Sequence, residues 1–139
     1  MSIFNGLQIN ASGLSLERLK LDVASNNISN VNTTRTAEGG PYKKETVEFS
    51  ENLKQAEGAN YLTHAGVKVT NIAQDDTTKL TYDPDNPDAN ENGYVEFPNV
   101  NMADEMVDMI QAMRTYQANV SSSEANKTIL KKALEISKD

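Results

Sequence analysis

The 139-residue sequence contains no cysteine and no tryptophan, a single histidine and four prolines, and only 6% of its residues are aromatic. Without cysteine there is no disulfide scaffold, zinc–thiolate site, iron–sulfur cluster or cysteine nucleophile. The shortage of aromatics argues against a compact core built on large rings. Positive charge is scarce too: 13 Lys and Arg stand against 20 Asp and Glu, a formal net charge of −7. Phosphate binding needs a concentrated positive field, so no nucleic-acid partner is expected, and an anionic membrane surface is disfavoured for the same reason. No window approaches the roughly 18 consecutive apolar residues of a membrane span, so no direct membrane span is expected. The opening stretch MSIFNGLQINASG has neither a basic leader nor a continuous apolar core and does not read as an ordinary secretory signal. The length fits about one domain.

The apolar residues that are present concentrate towards the two ends. Residues 1–35 read as a helical assembly region. Leu7, Leu14, Leu21 and Ile28 recur every seven residues, with Ala24 and Val31 on a second position of the repeat. Another stripe, Ile9, Leu16, Leu19 and Val23, lies on a different face at about 100° per residue. A helix with two apolar faces touches neighbours on both sides. Gly6 and Gly13 each lower its intrinsic stability by about 1 kcal/mol relative to alanine. Its end is crowded with asparagine, Asn26, Asn27, Asn30 and Asn32, residues common in caps and turns.

Residues 100–139 read as a second, longer helical assembly region. Asn101 is a plausible N-cap, and Asp104, Glu105 and Asp108 suit a helix start. Met102, Met106, Met109, Met113, Tyr116, Val120, Leu130 and Leu134 form a heptad seam, with Ser123 and Lys127 in the two skipped places. Lys127, Lys131, Lys132 and Lys138 gather near the C-terminus, where the helix dipole favours positive charge. Such a helix would be about 55 Å long. Between the ends, residues 36–99 read as a small β-rich or irregular insert. YKKETVEF, GVKVTNI, KLTY and YVEF have strand character, and DPDNPDANENGY is dense in turn residues. The insert holds 5 basic and 12 acidic residues, whereas both ends are close to neutral. The fold class expected is mainly α: long terminal helices in a coiled-coil-like packing unit around a small β-rich middle.

Candidate chemistry is thin. His64 has no partner in its neighbourhood. Asp83, Asp85 and Asp88 alternate as calcium ligands do, but Pro87, Asp88 and Tyr94 occupy positions where an EF-hand needs a ligand, a glycine and a glutamate. Gly39-Gly40 lacks the lysine and hydroxyl of a phosphate loop. The carboxylates of Glu17 and Asp22, or Asp104 and Asp108, are better explained as helix-end or surface acids. The methionines continue into Tyr116 and Val120, which favours a packing seam over a soft binding groove. The sequence therefore points to a non-enzymatic protein with no catalytic residue, cofactor or metal. Its terminal helices pair with each other and with other subunits. Unlike surfaces on each subunit would propagate into a helical array; a soluble coiled-coil adaptor or homo-oligomeric interaction protein is the alternative on physical grounds.

ASGLSLERLKLDVASNNISNVNTTRT, Ala11 to Thr36, resembles the N-terminal signature of bacterial flagellar rod and hook proteins, a helix ending in an Ala-Asn-Asn-Ile-Ala-Asn-like run. Ser25-Asn26-Asn27-Ile28-Ser29-Asn30 fills it, with serine where alanine is usual. GGPYKK, YDPDNPDANENGYVEFPNVNMADEMVDMI and RTYQANVSSSEANKTILKKALEI are similar to segments of a proximal rod member of the same family. The resemblance implies a subunit of the flagellar rod, the drive shaft through the cell envelope, whose terminal helices form the wall around an export channel. It implies export from the cytoplasm by the flagellar type III apparatus and location in the basal body. The implied partners are further copies, other rod proteins, the adaptor joining rod to MS ring, and the export apparatus. On this reading Leu7, Leu14, Leu21 and Ile28 pack on the C-terminal seam, and Leu16, Leu19 and Val23 are candidates for contact with other subunits. Asn26, Asn27, Asn30 and Asn32, with Ile28 and Val31 among them, form a helix end inside a protein interface.

Overall fold

A computed structural model describes residues 3–55 and 62–136. The elements in order are α1 (Ile3–Ser29), β1 (Lys44–Gln55), β2 (Leu62–Asp75), β3 (Thr78–Tyr82), β4 (Tyr94–Pro98) and α2 (Met102–Ile136). Two terminal helices thus bracket a small β insert, as the apolar periodicity predicts. The side chain of His64, in β2, and Lys138 lie outside what is described.

The helix ends follow local chemistry. At the start of α2 the Asn101 side-chain oxygen accepts the Ala103 N–H at 3.1 Å, and the Asn101 carbonyl accepts the Glu105 N–H at 3.1 Å. That is an N-cap, satisfying donors that have no partner inside the helix. At the end of α1, Asn30 Nδ2 donates to the Asn26 carbonyl at 2.9 Å, and the Thr33 hydroxyl donates to Asn30 Oδ1 at 3.1 Å. Asn30 therefore acts as a helix stop, the plainer of the roles open to an asparagine there.

The insert contains two two-stranded ribbons, β1 with β2 and β3 with β4. Asn71 donates to Glu48 and Gln74 to Glu45, so one index falls by three as the other rises by three and β1–β2 is antiparallel. β3 and β4 are antiparallel with Thr78 opposite Pro98 and Tyr82 opposite Tyr94. The Tyr82 and Tyr94 rings meet edge-on, centroids 5.3 Å apart. Asparagines close the intervening turn: Asn90 Oδ1 accepts from the Asn92 and Tyr94 N–H groups, and Gly93 adopts φ +79°.

Contacts divide the chain into two compact units. The first draws on residues 1–19, 48–71 and 111–139. Here α1 and α2 run antiparallel: Gly6 faces Asn126 and Gly13 faces Asn119, one number rising by seven as the other falls by seven. Asn10 Nδ2 donates to Ser122 Oγ at 3.0 Å between them. A Cβ on Gly13 would lie 2.8 Å from Asn119 Nδ2, so glycine permits the close approach that these asparagines use. Leu16 and Ala112 are the buried apolar side chains. The β1–β2 ribbon reaches α1 at Gly66, φ +96°, where a Cβ would collide with Ser12 Oγ. That hydroxyl accepts the Val67 N–H at 3.1 Å and donates to the Ile9 carbonyl at 2.7 Å. Beside it Ile9, Phe49, Gly66 and Val67 line an open groove of about 420 Å³.

The second unit draws on residues 20–47 and 72–110. Val23, Ala24, Val95, Pro98 and Val100 are its buried apolar residues, and Asn27 and Glu105 are buried among them.

Candidate assembly interface

Asn27 projects from the last turns of α1 and is 1% exposed. Its Oδ1 accepts the Tyr42 hydroxyl at 2.9 Å and the Glu45 N–H at 2.9 Å. Its Nδ2 donates to the Glu45 carbonyl at 2.8 Å and to Glu105 Oε2 at 3.0 Å. Both lone pairs and both N–H groups of the amide are used, so it is fully satisfied. One side chain thereby ties the end of α1 to the backbone of β1 and to the first turn of α2. Two of the four partners are backbone groups of Glu45, and the fourth is a carboxylate, so the joint encloses a charge.

Glu105 is 3% exposed, and the Lys44 ammonium sits 2.8 Å from its Oε1. The approach is off the hydrogen-bonding direction, and Oε1 has no directed bond among the described residues. At 2.8 Å the ionic attraction holds regardless of that angle. The Glu105 carboxylate holds the Lys44 amine above its ordinary pKa, against the opposing effect of burial, with Asp108 and Asp104 adding to the rise. The Tyr42 phenol is pushed up to about 12, by burial first and then by the charges of Glu45 and Glu105.

The covered positions of α2 are Glu105, Met109, Ala112, Tyr116, Asn119, Val120, Ser123, Asn126 and Leu130. Met109, Tyr116, Val120 and Leu130 thus join the inner seam that the heptads predict. The other half of that seam does not. Met102, Met106, Met113 and Leu134 are all at least 43% exposed. Glu105 and Ala112 stand inward one residue before Met106 and Met113, about 100° round the helix, and Asn126 likewise before Lys127. Further along the helix, Asn119 and Asn126 face Gly13 and Gly6, where the helices approach closely. Exposed Val107 and Ile110 widen the outward apolar face.

α1 also differs from expectation. Leu16 and Val23, candidates for contact with other subunits, are 5% and 6% exposed and belong to the cores of this chain. Leu7, Leu14, Leu19, Leu21, Ile28 and Val31 are half-covered; Asn26 and Asn32 are exposed. Sequence reasoning missed Tyr42, Lys44 and Ser12 as site residues. It recognised Glu105 only as a helix-start acid, although the seven-residue spacing of 105, 119 and 126 was a usable signal.

Among the described residues no three acidic or histidine side chains gather as a metal site. Asp88 is instead engaged by the Thr34 hydroxyl at 2.8 Å and by Arg35 at 3.8 Å. No described helix is long and apolar enough to cross a membrane.

A paired-helix subunit with an uncovered apolar helix face belongs to the class of assembly proteins. Comparison with known families makes the class definite: residues 7–35 match the family described as Flagella basal body rod protein, and residues 91–136 match Flagellar basal body rod FlgEFG protein C-terminal. The chain is 40% identical to the flagellar basal-body rod protein FlgC of Borreliella burgdorferi, covering 98% of each. It is 41% identical to that of Bacillus subtilis, over 99% of this chain and 100% of the relative. The Salmonella typhimurium protein of the same name is 35% identical over 96% and 97%. The chain belongs to the FlgC family of flagellar basal-body rod proteins. It is a structural subunit of the flagellar rod, assembling through its terminal helices.

Proposed function

We propose that this subunit forms part of the proximal rod, serving both as a segment of the drive shaft and as wall of the export channel. The observation that carries the reading is the outward face of α2. Met102, Met106, Ile110 and Met113 lie within about one third of the helix circumference, all substantially exposed. Burying the exposed half of each against a neighbour would contribute about 1 kcal/mol. Methionine adapts to irregular partner surfaces. A second copy of this chain is the first occupant, because an unlike surface repeated on every copy propagates into an open helical array. Other rod proteins, the adaptor to the MS ring and the type III export apparatus are the further partners this reading requires. It locates the subunit within the cell envelope after export from the cytoplasm.

The exposed side of α1 has a different character. Gln8, Ala11, Ser15, Arg18, Asp22 and Ser29 present no large apolar group. Such a surface suits a wall that meets water and passing chains without holding them. Leu7, Leu14, Leu21, Ile28 and Val31, half-covered in the subunit, would be completed by neighbours, as would Val120 and Leu134.

The test is Met113→Asp, with Leu21→Asp as a second variant. Each should be exported yet fail to enter rods, scored by isolating basal bodies from cells carrying the variant alone. Rods of normal yield containing either variant would contradict the reading. Isolated protein should also have frayed termini by NMR relaxation; uniform rigidity in dilute solution would count against that part.

A further inference from the structure

The buried polar cluster of the second unit does more than join three segments. On hydrophobicity alone, the start of α2 is facing the wrong way: Glu105 is buried while its neighbours Met106 and Met102 are out. A turn of about 100° would put Met106 where Glu105 now sits. That rotation would bury Met106 and release a carboxylate to water, both favourable by themselves, while turning Ala112, Tyr116 and Leu130 outward further along the helix. It is opposed by the bond from Asn27 Nδ2 to Oε2 and by the Lys44 ammonium at Oε1. Asn27 is itself held by Tyr42 and by both backbone groups of Glu45, so it presents its donor in a fixed place.

We infer that Asn27, Lys44 and Glu105 form a rotational latch, which fixes the first turns of α2 so that Met102, Met106, Val107 and Ile110 stay outward. Glu105 is a positioning residue. Its burial reserves the apolar face for a neighbouring subunit and prevents the chain from consuming that face internally. Buried polar groups that set helix register at a cost in stability act in the same way. The latch concerns the isolated subunit. It rests on the proposed assembly reading only for its biological consequence.

The absence of native cysteine allows a direct test. Met106→Cys is introduced into the full chain, and its maleimide labelling rate is read in dilute monomer, with Asp104→Cys as a reporter that stays exposed in either rotation. Lys44→Met leaves both helix sequences intact and strands the buried carboxylate. It should slow labelling at position 106 by about tenfold, as expected for a side chain turned into cover, with no change at 104. Lys44→Arg should restore the original rate. Glu105→Ala, which removes the anchor, should slow position 106 as well. Unchanged or faster labelling at 106 in both Lys44→Met and Glu105→Ala, whether the helix holds its rotation or melts, would overturn the latch. Failure of Met113→Asp to block rods would leave this result untouched and strike only the assembly reading.

Discussion

The two sides of α2 divide their residues unevenly. The covered side mixes Glu105, Asn119, Ser123 and Asn126 with Met109, Ala112, Tyr116 and Leu130; the open side keeps Met102, Met106, Ile110 and Met113 among charged residues. A monomeric domain would place more of these methionines inside and let the asparagines meet water. The difference teaches that this subunit is specified for a neighbour more than for itself: hydrogen bonds and close contacts set its own geometry, and much of its hydrophobic free energy is left for assembly. Contiguous exposed apolar faces of this kind mark interaction surfaces.

Substitutions on the inner side should break geometry, and the largest effect is expected at Asn27. Asn27→Leu removes four hydrogen bonds and leaves the Glu45 peptide groups and the Tyr42 hydroxyl without their partner. A loss of about 3 kcal/mol is expected in urea unfolding. A loss below about 1 kcal/mol would mean that water replaces the amide readily. Gly66→Ala comes next. The positive φ and the collision with Ser12 Oγ both oppose a side chain there, for about 2 kcal/mol. Undiminished stability in the same assay would show that the ribbon is not held at Ser12.

Gly13→Ala sharpens the comparison because two effects compete. Alanine favours the helix by about 1 kcal/mol, but its Cβ meets Asn119 Nδ2 at 2.8 Å. The single variant should be neutral to about 1 kcal/mol less stable, and should become more stable when Asn119→Ala is added. If the second change brings no gain, the close helix approach is not what selects glycine.

Alkaline pH gives a smaller effect with a definite sign. Tyr42 has its pKa raised from 10.0 to about 12, so between those values the folded chain binds more protons than the unfolded one. Its contribution is whole below about pH 10 and is lost as pH rises towards 12. Lys43 and Lys44, both raised by carboxylate partners, lose their contributions on the same alkaline side. Tyr42→Phe should flatten part of that decline in unfolding curves taken at stepped pH; an identical slope would show that the phenol is not ionising in place. Lys132→Ala, which breaks an exposed pair with Glu135 at 2.9 Å, should change stability by less than about 0.5 kcal/mol.

The sequence made part of this legible. Seven-residue spacing identified both helices, and Leu7, Leu14, Leu21, Met109, Tyr116 and Leu130 are all half-covered in the subunit. The cap at Asn101 and the turn chemistry near Asn90 followed from residue type. The rotation of α2 did not, because Glu105 and Met106 are adjacent and hydrophobicity alone favours Met106 inside. What decides between them is Lys44 and Asn27, far away in the chain and brought together only by folding. The identity of the buried asparagine was hidden for a similar reason: Asn26, Asn27, Asn30 and Asn32 look alike in sequence, yet only Asn27 is enclosed. Leu16 and Val23 are buried within this chain, and an apolar stripe in sequence does not reveal whether its cover comes from the same chain or from a neighbour.

The most direct measurement compares the labelling of a single cysteine at position 106 in the isolated subunit and in assembled basal bodies, quantified by mass spectrometry. The account predicts rapid labelling of the monomer and strong protection in the rod, with Asp104→Cys as the reference site in both states. Equal labelling at 106 in monomer and rod would contradict the claim that neighbouring subunits cover the methionine face.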